Sequence, residues 1–243
     1  MRLTRVYVEE PLQNGARCRI AGSAANHMLR VLRLGVGTAV TLFDGTGGEY
    51  AARIESVLKD SVIIDVGQHA AIERESPVHL ALAQGISRGE RMDWVIQKAT
   101  ELGVQRIVPL ITTRSVVRLD AHQARRKWQH WRGISIAACE QCGRNHLPEL
   151  TPPVDLQEFL GSEAPEEAMR LLLSPAGSLR IGAIKSLEKI ILLIGPEGGL
   201  APEEGSAALA QGYVAVRLGP RILRTETAAI AALAALQQAF GDL

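Results

Sequence analysis

Apolar residues alternate with polar ones over the first part of the chain, then recur at helical spacing between short apolar runs. Residues 1–70 carry RVYVEE, ARCRIAG, TAVTLFDG, GEYAARIESVLKD and SVIIDVG, β-branched stretches punctuated by Gly, Asn and Asp. Turn signals spaced about 8–12 residues apart predict a small β-barrel. One helical piece interrupts them, SAANHMLRVLRL, with Ser23 as its N-cap and Met28, Leu29 and Leu32 on one face. The polar stretch QHAAIERESP, residues 68–77, marks a boundary that divides 1–72 from 73–243.

Beyond Pro77 strands and helices alternate. VHLALAQGI precedes the helix ERMDWVIQKATELGV, in which Met92, Val95, Ile96, Ala99 and Leu102 share a face and Gly103 ends the run. QRIVPLIT, a long helix near 121–142, MRLLLSP, EKIILLIGPEGG, the helix PEEGSAALAQ, AVRLG and a helix from about 225 to 240 follow. This is an α/β pattern, a mainly parallel sheet covered on both faces. Ligands of such sheets sit beyond the carboxyl ends of the strands, so the loops after 173, 194 and 218 matter most.

The composition changes this picture little. A net charge of +1 over 243 residues gives no whole-chain case for nucleic acid, and three cysteines make no disulfide framework. No apolar leader follows MRLTRVYVEE and no run reaches membrane-spanning length, so a soluble protein in a reducing compartment, with no membrane partner, is expected. Cys139-x-x-Cys142 lacks a second ligand pair, so no metal site is expected. FDGTGGEY precedes a strand-like run and reads as a hairpin.

Three segments carry candidate chemistry. IGPEGGL, 194–200, is either a tight β–α turn, with Pro196 second and Gly198 fourth in a type I turn, or a ligand loop; the bland turn leaves Glu197 idle. In GPRILRTETA, 219–228, Thr225 can cap the last helix and Glu226 suits its positive end. Capping requires neither Arg221 and Arg224 nor the apolar pair between them, and Ile222-Leu223 could floor a pocket with cations at its mouth. Residues 114–132 carry six Lys/Arg against one Asp, with Trp128 and Trp131. They read either as a solvated helix face or as a phosphate-tracking stripe through Arg114, Arg118, Arg125, Arg126, Lys127 and Arg132, to which Arg2, Arg5, Arg30 and Arg33 add a second basic surface.

HMLRVLRL, DWVIQKATELGV with RIVPLITTRS, ACEQCGR, IGPEGGL and LGPRILRTETA, in this order, resemble the RsmE-type 16S ribosomal RNA uridine N3-methyltransferases of the SPOUT superfamily. Cys142 stands where a small serine-like residue is expected, and Arg88 where a lysine is common. The resemblance implies a PUA-like barrel followed by a SPOUT domain with a deep trefoil knot. It also implies a homodimer in the cytoplasm, with S-adenosylmethionine (SAM) as cofactor and 16S ribosomal RNA of the small subunit as partner. Leu173, Ile194, Gly195, Pro196, Gly198, Leu218, Gly219, Ile222, Leu223, Thr225 and Ala228 would bind SAM. Arg224, Glu226 and Glu197 would be catalytic. Arg5, Arg30, Arg33, Arg88, Arg114 and Arg144 would meet RNA, with Arg144 also suited to donate to uracil oxygens. Two rivals remain: a non-catalytic RNA-binding protein, and a phosphate-handling enzyme, which would lack the P-loop lysine motif.

Overall fold

The structure, a computed structural model, describes residues 4–115, 119–162, 167–184 and 188–243. Arg2 and Arg118 therefore lie outside the described residues. The chain divides into two compact units, one of residues 1–75 with 139–147, the other of 76–138 with 148–243.

In the first unit β1 (Thr4–Tyr7), β2 (Arg17–Ala21), β3 (Ala39–Phe43), β4 (Glu49–Val57) and β5 (Ser61–Ala70) form one sheet in the order β1-β3-β4-β5-β2. All pairings are antiparallel except β1 with β3. The alternating runs put Val6, Ile20, Val40, Leu42, Ile54, Val62 and Ile64 into one core, as period-two patterning demands. The helical piece differs from its expected form. A short helix α1 (Gly22–Asn26) starts before Ser23 and passes into a π-helical turn, His27–Val31. Arg33 then takes φ 52°, a left-handed conformation that bends the chain out of the turn.

Two arginines assigned to RNA are structural here. Arg5 is buried, paired with Glu49, donating to the Arg144 carbonyl at 3.1 Å and to Asn145 Oδ1, and stacked over Phe43. Arg144 has a side chain only 4% exposed and donates from Nε to Glu75 Oε1 at 2.9 Å and from Nη2 to Oε2 at 2.5 Å. Burial leaves neither guanidinium for a phosphate or a uracil oxygen. Arg144→Ala should lower the unfolding free energy by about 3 kcal/mol, the cost of stranding a buried partner charge, read from urea denaturation. A loss under about 1 kcal/mol would return Arg144 to the candidate RNA contacts. Segment 139–147 thus groups with the first unit, whereas the sequence reading places it in the second domain. The buried Cys139 thiol, raised to about 12 by desolvation, donates to the His146 carbonyl at 3.6 Å.

The second unit contains β6 (His79–Gly85), α2 (Arg91–Glu101), β7 (Arg106–Ile111), most of α3 (Ala121–Cys142), β8 (Glu149–Leu150), β9 (Val154–Asp155), α4 (Leu156–Gly161), β10 (Met169–Leu173), β11 (Leu179–Arg180), β12 (Lys189–Ile194), α5 (Pro202–Ala210), β13 (Val214–Arg217) and α6 (Thr225–Phe240). The sheet order is β11-β13-β10-β12-β6-β7-β8, with β9 also on β7, and every pairing is parallel. Along β12, Ile190, Leu192 and Ile194 face the core under α2 and α6, while Ile191 and Leu193 face α4 and α5. Burial on both faces explains the uninterrupted apolar runs. Trp131 is buried with its indole donating to Asp93 at 3.1 Å, and Trp128 donates to the Leu150 carbonyl at 2.8 Å. Trp131 turns inward and Trp128 is half-buried, while α3 offers Arg125 and Arg126 to solvent.

Candidate functional site

The parallel register brings the strand ends level: Ile194 pairs with Gln84, Leu193 with Leu172, and Leu173 with Val216. Beyond that edge the loops after β10, β12 and β13 enclose a pocket of about 760 Å³, within the usual range for small-molecule sites. All eleven residues expected to bind a cofactor line it, together with Arg224, Glu226 and Glu197. Ile222 is 84% exposed and stands at the rim, not on the floor as the sequence suggested; Leu173, Leu218 and Leu223 supply the apolar wall.

The IGPEGG loop turns one residue later than expected. Gly199 N–H donates to the Pro196 carbonyl at 2.9 Å, so Pro196 opens the turn. Gly199 takes φ 67°, which only glycine adopts without strain. Gly195 serves the loop's own closure, since a Cβ there would lie 2.8 Å from Leu200 N and 2.9 Å from Gly199 C. Pro202 opens α5, where Glu204 accepts from Ala201 N–H at 2.8 Å and from Thr113 N–H at 2.7 Å. The exposed Arg114 donates to the Gly198 carbonyl at 3.0 Å.

Thr225 is not a cap. It is the first residue of α6, and Arg224 occupies the cap position. The Thr225 hydroxyl instead donates to the Gly195 carbonyl at 2.7 Å and accepts from Gln84 Nε2 at 3.0 Å. Gln84, fully buried, also donates to the Gly85 carbonyl at 3.0 Å. Three strand-end segments are thereby tied at one buried point. The sequence reading missed Gln84; a polar side chain ending the apolar run VHLALAQGI was the available signal.

Arg91 was also missed. It lines the pocket and donates from Nη1 to Glu197 Oε1 at 2.8 Å, while its Nε lies 3.7 Å from Glu226 Oε1. Glu197 Oε1 further accepts Arg88 N–H at 2.8 Å. Burial raises the Glu197 carboxyl, but hydrogen bonds from backbone N–H groups and Arg91 outweigh it and hold it below the ordinary glutamate range. Arg224 is exposed; its carbonyl accepts Ala228 N–H at 2.8 Å, and its guanidinium has no hydrogen bond or ion pair among the described residues. Arg30, Arg33 and Arg88 are exposed, as is Arg114.

A glycine-lined pocket at the carboxyl edge of a parallel sheet, with cations and carboxylates at one end, defines a binding site for a small cofactor beside a reacting group. Residues 74–237 match the RNA methyltransferase domain family, and residues 20–67 match the RNA methyltransferase PUA domain family. A methyltransferase from Legionella pneumophila, solved in complex with the bound cofactor SAM, is 43% identical with a TM-score of 0.96 over 100% of both chains. A ribosomal RNA small subunit methyltransferase E from Neisseria gonorrhoeae, bound to S-adenosyl methionine, is 38% identical with a TM-score of 0.91, again over 100% of both. The protein of the same name from Bacillus subtilis (strain 168) is 32% identical over 96% of each chain. The chain belongs to the ribosomal RNA small subunit methyltransferase E family, with an RNA methyltransferase PUA domain followed by an RNA methyltransferase domain.

Proposed function

We infer that this protein transfers the methyl group of SAM to N3 of a uridine in 16S ribosomal RNA of the small subunit. The observation that carries this reading is the convergence of the IGPEGG and ILRTETA residues on one pocket, within a chain of this family. The pocket fits the cofactor chemically. A Cβ at Gly219 would stand in open space, so the wall there is bare backbone, and the leucines offer an apolar face to an adenine ring. Leu173, Gly195, Leu218 and Leu223 would hold SAM, which supplies an electrophilic methyl on a sulfonium when bound.

The chain's own residues must then present the uracil. N3 lies on the Watson–Crick edge, so the target nucleotide has to be unpaired or extruded. Arg224, unengaged at the mouth, is placed to meet charge that develops on a uracil carbonyl oxygen. Glu197, with two donors on Oε1, fixes Arg91 and the backbone at Arg88. Arg30, Arg33, Arg88 and Arg114, with Arg125 and Arg126, are the exposed cations for phosphates. The homodimer, the threading of the last strand and helix as a trefoil, and a cytoplasmic location belong to the same reading. Among the described residues no helix is long and apolar enough to cross a membrane.

Small subunits lacking the modification, incubated with the protein and labelled SAM, should yield 3-methyluridine on digestion and mass spectrometry. Label on a ribose, on another base, or only on transfer RNA would overturn the assignment. With about five phosphates engaged, RNA affinity should fall roughly 10²–10³-fold over a fourfold rise in salt.

A further inference from the structure

Two carboxylates wall the polar end of the pocket, and their surroundings differ. Glu197 Oε1 accepts from Arg88 N–H and Arg91 Nη1, both at 2.8 Å. Glu226, whose side chain is 17% exposed, has no donor within hydrogen-bond reach among the described residues: Arg91 Nε lies 3.7 Å from Oε1. Its Oε2 is shut off from water and has no partner among the described residues. The other oxygen, Oε1, is the one turned toward Arg91, and it too lacks a donor at hydrogen-bond distance among the described residues. A carboxylate left without a donor in a pocket wall calls for a ligand that brings one.

The base expected in this pocket brings one at the reacting atom. Uracil in a nucleoside has a single ring N–H, at N3, between two carbonyl oxygens. That edge reads acceptor, donor, acceptor. Glu226 can meet the donor, and Arg91 and Arg224, both exposed at the pocket wall, can meet the flanking oxygens. Cytosine turns an unprotonated N3 toward the same carboxylate and is repelled.

We propose that Glu226 reads the N3–H of the target uracil and accepts its proton, with Arg91 and Arg224 donating to the flanking oxygens. The proposal rests on the uridine reading above. In the step, the N3–H bond breaks and its proton passes to a Glu226 oxygen. The N3 electron pair forms the bond to the methyl carbon, the carbon–sulfur pair returns to sulfur, and the proton leaves to water when the RNA departs. Arg224 and Arg91 stabilise the negative charge that spreads onto the uracil oxygens, which makes N3–H a stronger acid in the site than in water.

Glu226→Gln keeps an oxygen that accepts the N–H but cannot take the proton. It should bind SAM and RNA within about threefold of the native protein and lose about 10²–10⁴-fold in kcat. Glu226→Asp, which keeps the carboxylate, should recover part of that loss. RNA carrying 5-fluorouridine at the target, whose fluorine acidifies N3, should restore Glu226→Gln by a larger factor than it raises the native protein. An unchanged kcat in Glu226→Gln, or an equal gain from fluorine in both proteins, overturns the proposal. A second measurement needs no turnover: in the presence of S-adenosylhomocysteine, the native protein should prefer uridine to 3-methyluridine RNA by about tenfold, roughly the worth of one hydrogen bond to a charged group. Glu226→Ala should bind both equally; an undiminished preference counts against the assignment. Transfer to uridine with Glu226 indifferent overturns this proposal alone, whereas native protein that transfers nothing to uridine overturns the substrate reading and this with it.

Discussion

Arg224→Ala is expected to lower kcat by about 10²–10³-fold, the effect of removing one donor to a developing oxyanion. SAM affinity should move by less than about threefold. The asymmetry follows from where the side chain stands. Arg224 occupies the cap position of α6, is exposed, and its side chain has no hydrogen bond or ion pair among the described residues that its loss would disturb. An unengaged cation adds little to a ground state and much to a transition state in which charge reaches a uracil oxygen. Single-turnover kinetics beside calorimetry separate the two quantities. A large fall in SAM affinity with turnover preserved would assign Arg224 to the cofactor. Lysine at this position should rescue only in part, since one point charge replaces a planar fork.

Gly195→Val should abolish detectable SAM binding, a loss of at least about 100-fold. The added Cβ meets backbone, at 2.8 Å from Leu200 N and 2.9 Å from Gly199 C, and backbone cannot swing aside as a side chain can. The loop must reopen, and the Thr225 hydroxyl then loses the Gly195 carbonyl to which it donates at 2.7 Å. The damage precedes any contact with cofactor, so this variant alone does not show where SAM lies. Gly219→Ala does. Its Cβ would meet nothing within 4 Å, so the fold should tolerate it. Weaker SAM binding by about tenfold at unchanged thermal stability would report direct approach of the cofactor to that backbone. Native affinity in Gly195→Val would mean that the pocket is elsewhere.

Much of this site was legible because it is local. IGPEGGL and GPRILRTETA are contiguous, each follows an apolar run, and parallel strands present such loops on one edge. The same holds for the five strands of the first unit, whose alternation needs no partner to be seen. The misreadings share a different cause. Arg5 and Arg144 count as positive charges in any sequence window, yet each is neutralised by a carboxylate 44 or 69 positions away. Thr225 has the residue type and position of an N-cap, but Gln84, 141 positions earlier, engages its hydroxyl. Arg91 acquires its meaning only when Glu197 and Glu226 arrive on either side. Patterns record the chemistry of neighbours in the chain; they do not record which distant group will satisfy it. The late turn at Pro196 reflects the same limit, because Gly195 is held by the loop residues that follow it.

The return of residues 139–147 to the first unit sets a schedule for synthesis. Arg5 emerges among the first residues, but Asn145, to which it donates, lies 140 positions later. At about 5–20 residues per second, the interval is on the order of ten seconds. Until then Arg5 lacks Asn145, and Glu75 waits for Arg144. A nascent chain halted near residue 100 should therefore present a first unit that proteases cut readily, and one halted past 150 plus the length of the exit tunnel should resist them. The N-terminal unit begins first but closes only after residues 76–138 of the second have been made, so its folding is interrupted by the start of the other and not completed ahead of it.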